Sequence, residues 1–154
     1  MRVFLPRGHA AGGFSSSDSV DVLRQAKEKG VRLFSSAYSS VLKGVRSRVL
    51  SGLESKKDVK ACVHSILDLE QATPPRMTTV TAAMRAMEAV GLYEDAVELH
   101  ASHMMPHLND GFKPDATYAT VALSCMLRLG MRSVALQTAS ELWTSGVEFG
   151  VFSV

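Results

Sequence analysis

Ala-Thr-Tyr-Ala-Thr-Val-Ala-Leu-Ser-Cys-Met-Leu-Arg-Leu-Gly, residues 116–130, runs directly into Met-Arg-Ser-Val-Ala-Leu-Gln-Thr-Ala-Ser-Glu-Leu-Trp-Thr-Ser-Gly, residues 131–146. Val121, Ala122, Cys125 and Met126 recur at helical spacing, which predicts a helix over 117–129. Gly130 turns the chain, because glycine accepts the left-handed backbone that ends a helix. A second helix then carries Ala135, Leu136, Ala139, Leu142 and Trp143 up to Gly146. The reading is an antiparallel helix pair joined by a glycine turn.

Working backward, the same pattern recurs. Val80, Ala83, Met84 and Met87 predict a helix over 78–90, Gly91 makes the turn, and Ala96, Val97 and Leu99 mark the partner helix from Tyr93. Gly91 and Gly130 are 39 residues apart, as are Ala96 and Ala135, and as are Pro75-Arg76 and Pro114-Asp115. Ala61 precedes Ala96 by 35 residues, and Gly111 precedes Gly146 by 35. A 35-residue unit with a four-residue insertion near 105–110 accounts for all five spacings. Each unit is two helices that cannot bury their apolar stripes alone, so neighbouring units must stack.

Further toward the N-terminus, Val20, Leu23 and Ala26 predict a helix over 19–29 with Asp18 as N-cap and Gly30 as its stop. Val41, Leu42 and Val45 predict a helix over 36–49. Asp58 opens the next, through Leu69, with Ala61, Cys62, Ser65 and Ile66 on one face, and Pro74 and Pro75 end it. No alternating β pattern of useful length occurs. The fold class expected is all-α: stacked antiparallel helix pairs, an α-solenoid of about three units over 19–146. Stacking should bury Ala61, Met84, Ala96, Met126, Ala135 and Leu142.

Composition bounds the function. The 154 residues suffice for one domain that buries roughly 70% of its unfolded surface, and 46% apolar against 21% charged residues is a soluble globular balance. No apolar run approaches a membrane span. Cys62 and Cys125 fit neither a disulfide framework nor a metal spacing, and read as buried thiols in a reducing compartment. The net charge of +2 conceals an asymmetry: residues 1–60 hold 12 Lys/Arg against five Asp/Glu, and residues 61–154 hold five against ten. Ten of the 17 basic residues lie between Arg24 and Lys60. Such a stretch attracts phosphates or an acidic protein face, or is simply a solvated surface.

The ends differ from the middle. Residues 1–18 carry Arg2, Arg7, His9 and Ser15–Ser17 with no acid before Asp18, as a disordered tail or the remnant of a mitochondrial or plastid targeting segment would. Residues 147–154, with Val147, Phe149, Val151, Phe152 and Val154, form an apolar tail suited to docking on a neighbour.

Catalytic patterns are weak throughout. His100, His103 and His107 share helical spacing, but Pro106 interrupts the helix and no carboxylate completes a ligand set. Ser51–Lys57 lacks the glycines of a phosphate loop, and Gly8–Gly13 follows no strand. No Ser or Cys sits in a nucleophile motif. The expectation is a binding module with no cofactor and no metal.

The chain resembles the pentatricopeptide-repeat family. Residues 116–150 follow the family's register without a gap, residues 77–115 follow it with the insertion and end in Gly111-Phe-Lys-Pro-Asp115, and residues 35–76 follow it through Ala37–Leu42. The last stretch needs about seven extra residues between its helices, and residues 19–34 look like the second helix of an incomplete unit. Tetratricopeptide units share the architecture, but the Pro-Asp endings and the Thr-Tyr helix start favour the pentatricopeptide register. The resemblance implies single-stranded RNA on the concave face, about one base per unit. Its base-facing positions fall on Ser39 with Arg76, Thr81 with Asp115, and Thr120 with Gly150. Thr81 with Asp115 suggests a purine, guanine in particular. Phosphate contacts are expected from Arg24, Lys27, Lys43, Arg46, Arg48, Lys56, Lys57 and Lys60. The family's apolar stacking position holds Ser36, Thr78 and Thr117 here. That departure supports an alternative: a scaffold subunit of a large organellar assembly, a ribosome or a respiratory or photosynthetic complex, acting through protein contacts.

Overall fold

The helices start and stop where the chain supplies caps. In the computed structural model, which describes residues 15–108, 110 and 112–146, α1 spans Ser16–Glu28, α2 Ser35–Leu50, α3 Lys56–Glu70, α4 Met77–Ala89, α5 Tyr93–Leu99, α6 Ala116–Arg128 and α7 Arg132–Thr144. The described residues contain no β-strand, so the class is all-α as expected. Ser15 and Ser55 begin α1 and α3 by accepting from the backbone N–H of Asp18 and Asp58, whose carboxylates accept from the serine N–H in return. This reciprocal pairing satisfies two otherwise orphaned donors. Asp18 and Asp58 are therefore the third residues of their helices rather than the caps. Asp115 caps α6, accepting from the Tyr118 N–H at 2.9 Å.

At the other ends, Gly91 and Gly130 take φ of +83° and +73°. Behind each, the next N–H returns to a carbonyl five residues back, Leu92 to Met87 at 2.8 Å and Met131 to Met126 at 2.9 Å. The paired bonds close the last turn and reverse the chain in three residues.

Packing follows chain order. α2, α4 and α6 lie side by side in a row, each odd-numbered helix packs on the even-numbered one before it, and α3 and α5 also pack on the one after. α1 packs against α2 and α3. The core runs continuously along this array, through Leu42 and Val45 of α2, Val59 and Ile66 of α3, Val80 and Met84 of α4, Ala96 of α5, and Tyr118 and Met126 of α6. α4 is covered on nearly every side: Thr79, Val80, Ala82, Ala83, Met84, Ala86 and Met87 are all buried.

Five of the six residues expected in the core are buried, and Ala61 is not. Ala96 and Ala135 are the fourth residues of α5 and α7, and the fourth residue of α3 is Val59, which is fully buried. Pairing alanine with alanine slipped the register by two positions; the helix start sets the inward face, not the residue type. The extra length between Ser35 and Met77 is also accounted for. α2 has 16 residues where α4 and α6 have 13, the turn at 51–55 is two residues longer than those at 90–92 and 129–131, and α3 has 15 residues where α7 has 13.

The insertion after α5 takes an unexpected form. α5 does not simply end; it widens into a π-helical turn over His100–Met104 and then tightens into a 3-10 turn over Met105–His107 around Pro106. The widened turn absorbs extra residues without breaking the helix, and such turns often occur at functional positions.

Candidate nucleic-acid interface

The row formed by α2, α4 and α6 holds a concavity of about 390 Å³. It is lined by Lys43 and Arg46 of α2, Thr81 and Arg85 of α4, and Asp115, which precedes α6. Thr78 and Thr117 border it as well. Helical periodicity explains the grouping. α4 is least buried along a stripe through Thr78, Thr81, Arg85 and Glu88, three or four residues apart, and Thr78, Thr81 and Arg85 of that stripe line the concavity. Lys43 and Arg46 sit one turn apart on α2 in the same way.

Thr81 and Asp115, paired by the resemblance, both line this concavity. The Thr81 hydroxyl is buried and has no hydrogen-bond partner among the described residues, so no base reaches that oxygen in this conformation, although the rest of the side chain lines the concavity. Asp115 is exposed, with one carboxylate oxygen used as the α6 cap. The pair of Ser39 and Arg76 does not line this concavity. Ser39 is buried and its hydroxyl donates to the Ser36 carbonyl at 3.2 Å, so no base reaches it in this conformation. Arg76 is exposed in a separate depression with Lys27, Phe34 and Glu70. Thr120 is exposed, its hydroxyl donating to the Ala116 carbonyl at 2.8 Å. Gly150 lies outside the described residues, as do residues 1–14 of the N-terminal segment and the whole 147–154 tail.

The eight cations named from sequence divide by what they touch. Arg24 pairs with Asp21 at 2.7 Å, Lys60 with Asp95 at 3.5 Å, and Lys27 donates to the Leu69 carbonyl. Arg48 is structural. Its Nε donates at 3.1 Å to Glu54, whose side chain is only 4% exposed and also accepts from the Ser16 N–H at 2.7 Å. That carboxylate ties the first turn of α1 to the end of α2. Lys56 and Lys57 are exposed on the first turn of α3, away from the concavity. Lys43 and Arg46 remain on the α2–α4–α6 face. Sequence reasoning missed Arg85, because it stands 25 residues beyond the basic stretch that ends at Lys60. Its signal was there: it is four residues after Thr81 on the same helix face.

A second polar arrangement lies inside the molecule. His100, in the π-helical turn, is 2% exposed, and its Nδ1 is 2.5 Å from the Tyr118 hydroxyl. Nε2 has no partner among the described residues. Phe112 packs edge-on to Tyr118, with ring centroids 5.0 Å apart. Burial pulls His100 down to about 4 and pushes the Tyr118 phenol up. The imidazole is therefore neutral at pH 7, joining the insertion to α6. His103 instead borders a groove with Lys60 and His64, so the three histidines do not converge. Cys62 and Cys125 are buried free thiols, pushed by desolvation to about 12 and about 11, which makes them poor nucleophiles. No helix among the described residues is long and apolar enough to cross a membrane.

Comparison of the chain with protein-family models, with curated proteins and with solved structures gives no match.

Proposed function

We propose that this chain is a non-catalytic helical-repeat binding protein of the pentatricopeptide type, an α-solenoid of about three units whose α2–α4–α6 face takes single-stranded or ribosomal RNA. The observation that carries this reading is the concavity itself, where Lys43 and Arg46 stand beside Thr81 and Asp115. Cations supply sequence-independent affinity for the phosphate chain, and a carboxylate beside them accepts hydrogen bonds from a base edge. Packing that follows chain order supports stacked units. The basic, acid-poor start of the chain supports a mitochondrial or plastid location.

The reading is tested by selecting RNA from a random pool with the wild type and with Thr81→Asn. Thr81→Asn keeps the helix and changes the donor and acceptor pattern in the concavity that Asp115 also lines. One base position should change preference by about tenfold or more, since a base-edge contact contributes on the order of 1–3 kcal/mol. Identical profiles, or no RNA retained by either protein, would remove base reading.

A scaffold role has its own support at the C-terminal end. Leu136 and Trp143 of α7 are each 65% exposed. The residues 39 positions earlier, Val97 and Met104, lie in the core. In a stacked array the α7 face would meet another helix, so a partner subunit that supplies one fits this surface. Co-purification from the native cell separates the two readings by whether nucleic acid or protein comes with the chain.

A further inference from the structure

We infer that Arg85 completes a phosphate seat with Lys43 and Arg46, and that this seat, rather than the Arg24–Lys60 stretch as a whole, anchors the bound backbone. The inference rests on the RNA reading for its natural ligand, while the chemistry it names is a phosphate group.

α4 is least buried along one stripe, on which Arg85 is the only cation. Lys43 and Arg46 approach from α2 across the same concavity. None of the three has an ion-pair partner among the described residues, whereas Arg24, Arg48 and Lys60 each have one. Three cations thus face the concavity against the single carboxylate of Asp115. Asp115 stands at the start of α6, and one of its oxygens already caps that helix. The charge is therefore uneven across the concavity: positive over α2 and α4, negative at α6. A phosphate is drawn to the α2–α4 side, leaving the Asp115 side for the group it carries. Two guanidinium groups offer forked donors to phosphate oxygens, and lysine adds a point charge.

The test is binding of fluorescein-labelled, mixed-sequence single-stranded RNA by anisotropy over a salt series, with the wild type, Arg85→Gln, Arg85→Lys, Lys43→Gln and Lys57→Gln. Circular dichroism checks that each variant is folded. Arg85→Gln should weaken binding roughly five- to tenfold and flatten the log–log salt slope by about 0.7, the value for one single-strand phosphate contact. Lys43→Gln should match it, Arg85→Lys should retain most of the affinity, and Lys57→Gln should change little. A parallel titration with inorganic tripolyphosphate separates the two claims. If wild-type protein binds tripolyphosphate through Arg85 but binds no RNA, the seat stands and the RNA reading falls. If RNA binds with the same affinity and slope with and without Arg85, the seat is overturned and the RNA reading survives. If neither ligand binds, both are overturned.

Discussion

His100 holds the most informative single-residue position. It is buried and neutral against Tyr118, and its Nε2 is left without a partner among the described residues. Its acid dissociation falls from the ordinary 6.5 to about 4 on folding. The unfolded chain then binds one more proton than the folded chain between these values, so stability is fully present above pH 6.5 and is lost as pH falls toward 4. The shift corresponds to up to about 3 kcal/mol at one unit per 1.4 kcal/mol. Urea midpoints for the wild type should therefore drop between pH 7 and 4, and His100→Gln, which cannot titrate there, should show a flatter profile. Equal profiles would mean that His100 is solvated. Thr81 gives a second prediction at this scale. Its hydroxyl is buried without a partner, so the near-isosteric Thr81→Val removes an unsatisfied polar group. Thermal unfolding should show Thr81→Val to be as stable as the wild type or more so, by up to about 1 kcal/mol. A loss of more than that would mean the hydroxyl has a partner after all.

Among the elements, α1 depends on one carboxylate. Glu54 accepts from the first helical N–H of α1 and from Arg48, with almost no water contact. Glu54→Gln should destabilise the fold by about 1–3 kcal/mol, through a weaker acceptor and the loss of its charge pair with Arg48. Hydrogen exchange should show the loss first in the amides of α1; uniform loss, or none, would contradict the tie. For the same reason, reversing Arg48 perturbs the fold before it tests any ligand, and Arg46 is the better position for charge reversal. Element boundaries were largely legible from sequence, because Gly91, Gly130 and the Val/Ala/Met stripes are local signals. The exceptions also had physical causes. Asp18 looked like a cap, and Asp58 like the start of its helix, because an acid near a helix start is favourable at either position, and only the serine three residues before distinguishes them. Ala61 looked inward because it lined up with Ala96, while the start of α3 puts Val59 there. The π-helical turn left no trace in periodicity, since its one extra residue per turn is smaller than the scatter of apolar positions. Within the candidate site, Thr81, Asp115, Lys43 and Arg46 were legible as residues. Their meeting in one concavity, the exclusion of Arg48 and the inclusion of Arg85 depend on how three helices lie side by side.

For the whole molecule, two surfaces make different demands. The α2–α4–α6 concavity is cationic and polar, while the α7 face presents Leu136 and Trp143 to solvent. Replacing both with lysine should leave the fold intact, since neither is buried, and should lower self-association or partner capture as read by sedimentation. A large loss of stability would show instead that these side chains are packed. The central claim concerns the other surface, and amide and side-chain chemical shifts of isotope-labelled protein titrated with mixed-sequence single-stranded RNA test it most directly. Shifts should concentrate on Lys43, Arg46, Thr78, Thr81, Arg85 and Thr117, with Lys60 and the α7 face unchanged. Shifts confined to the α7 face, or no shifts at all, would contradict it.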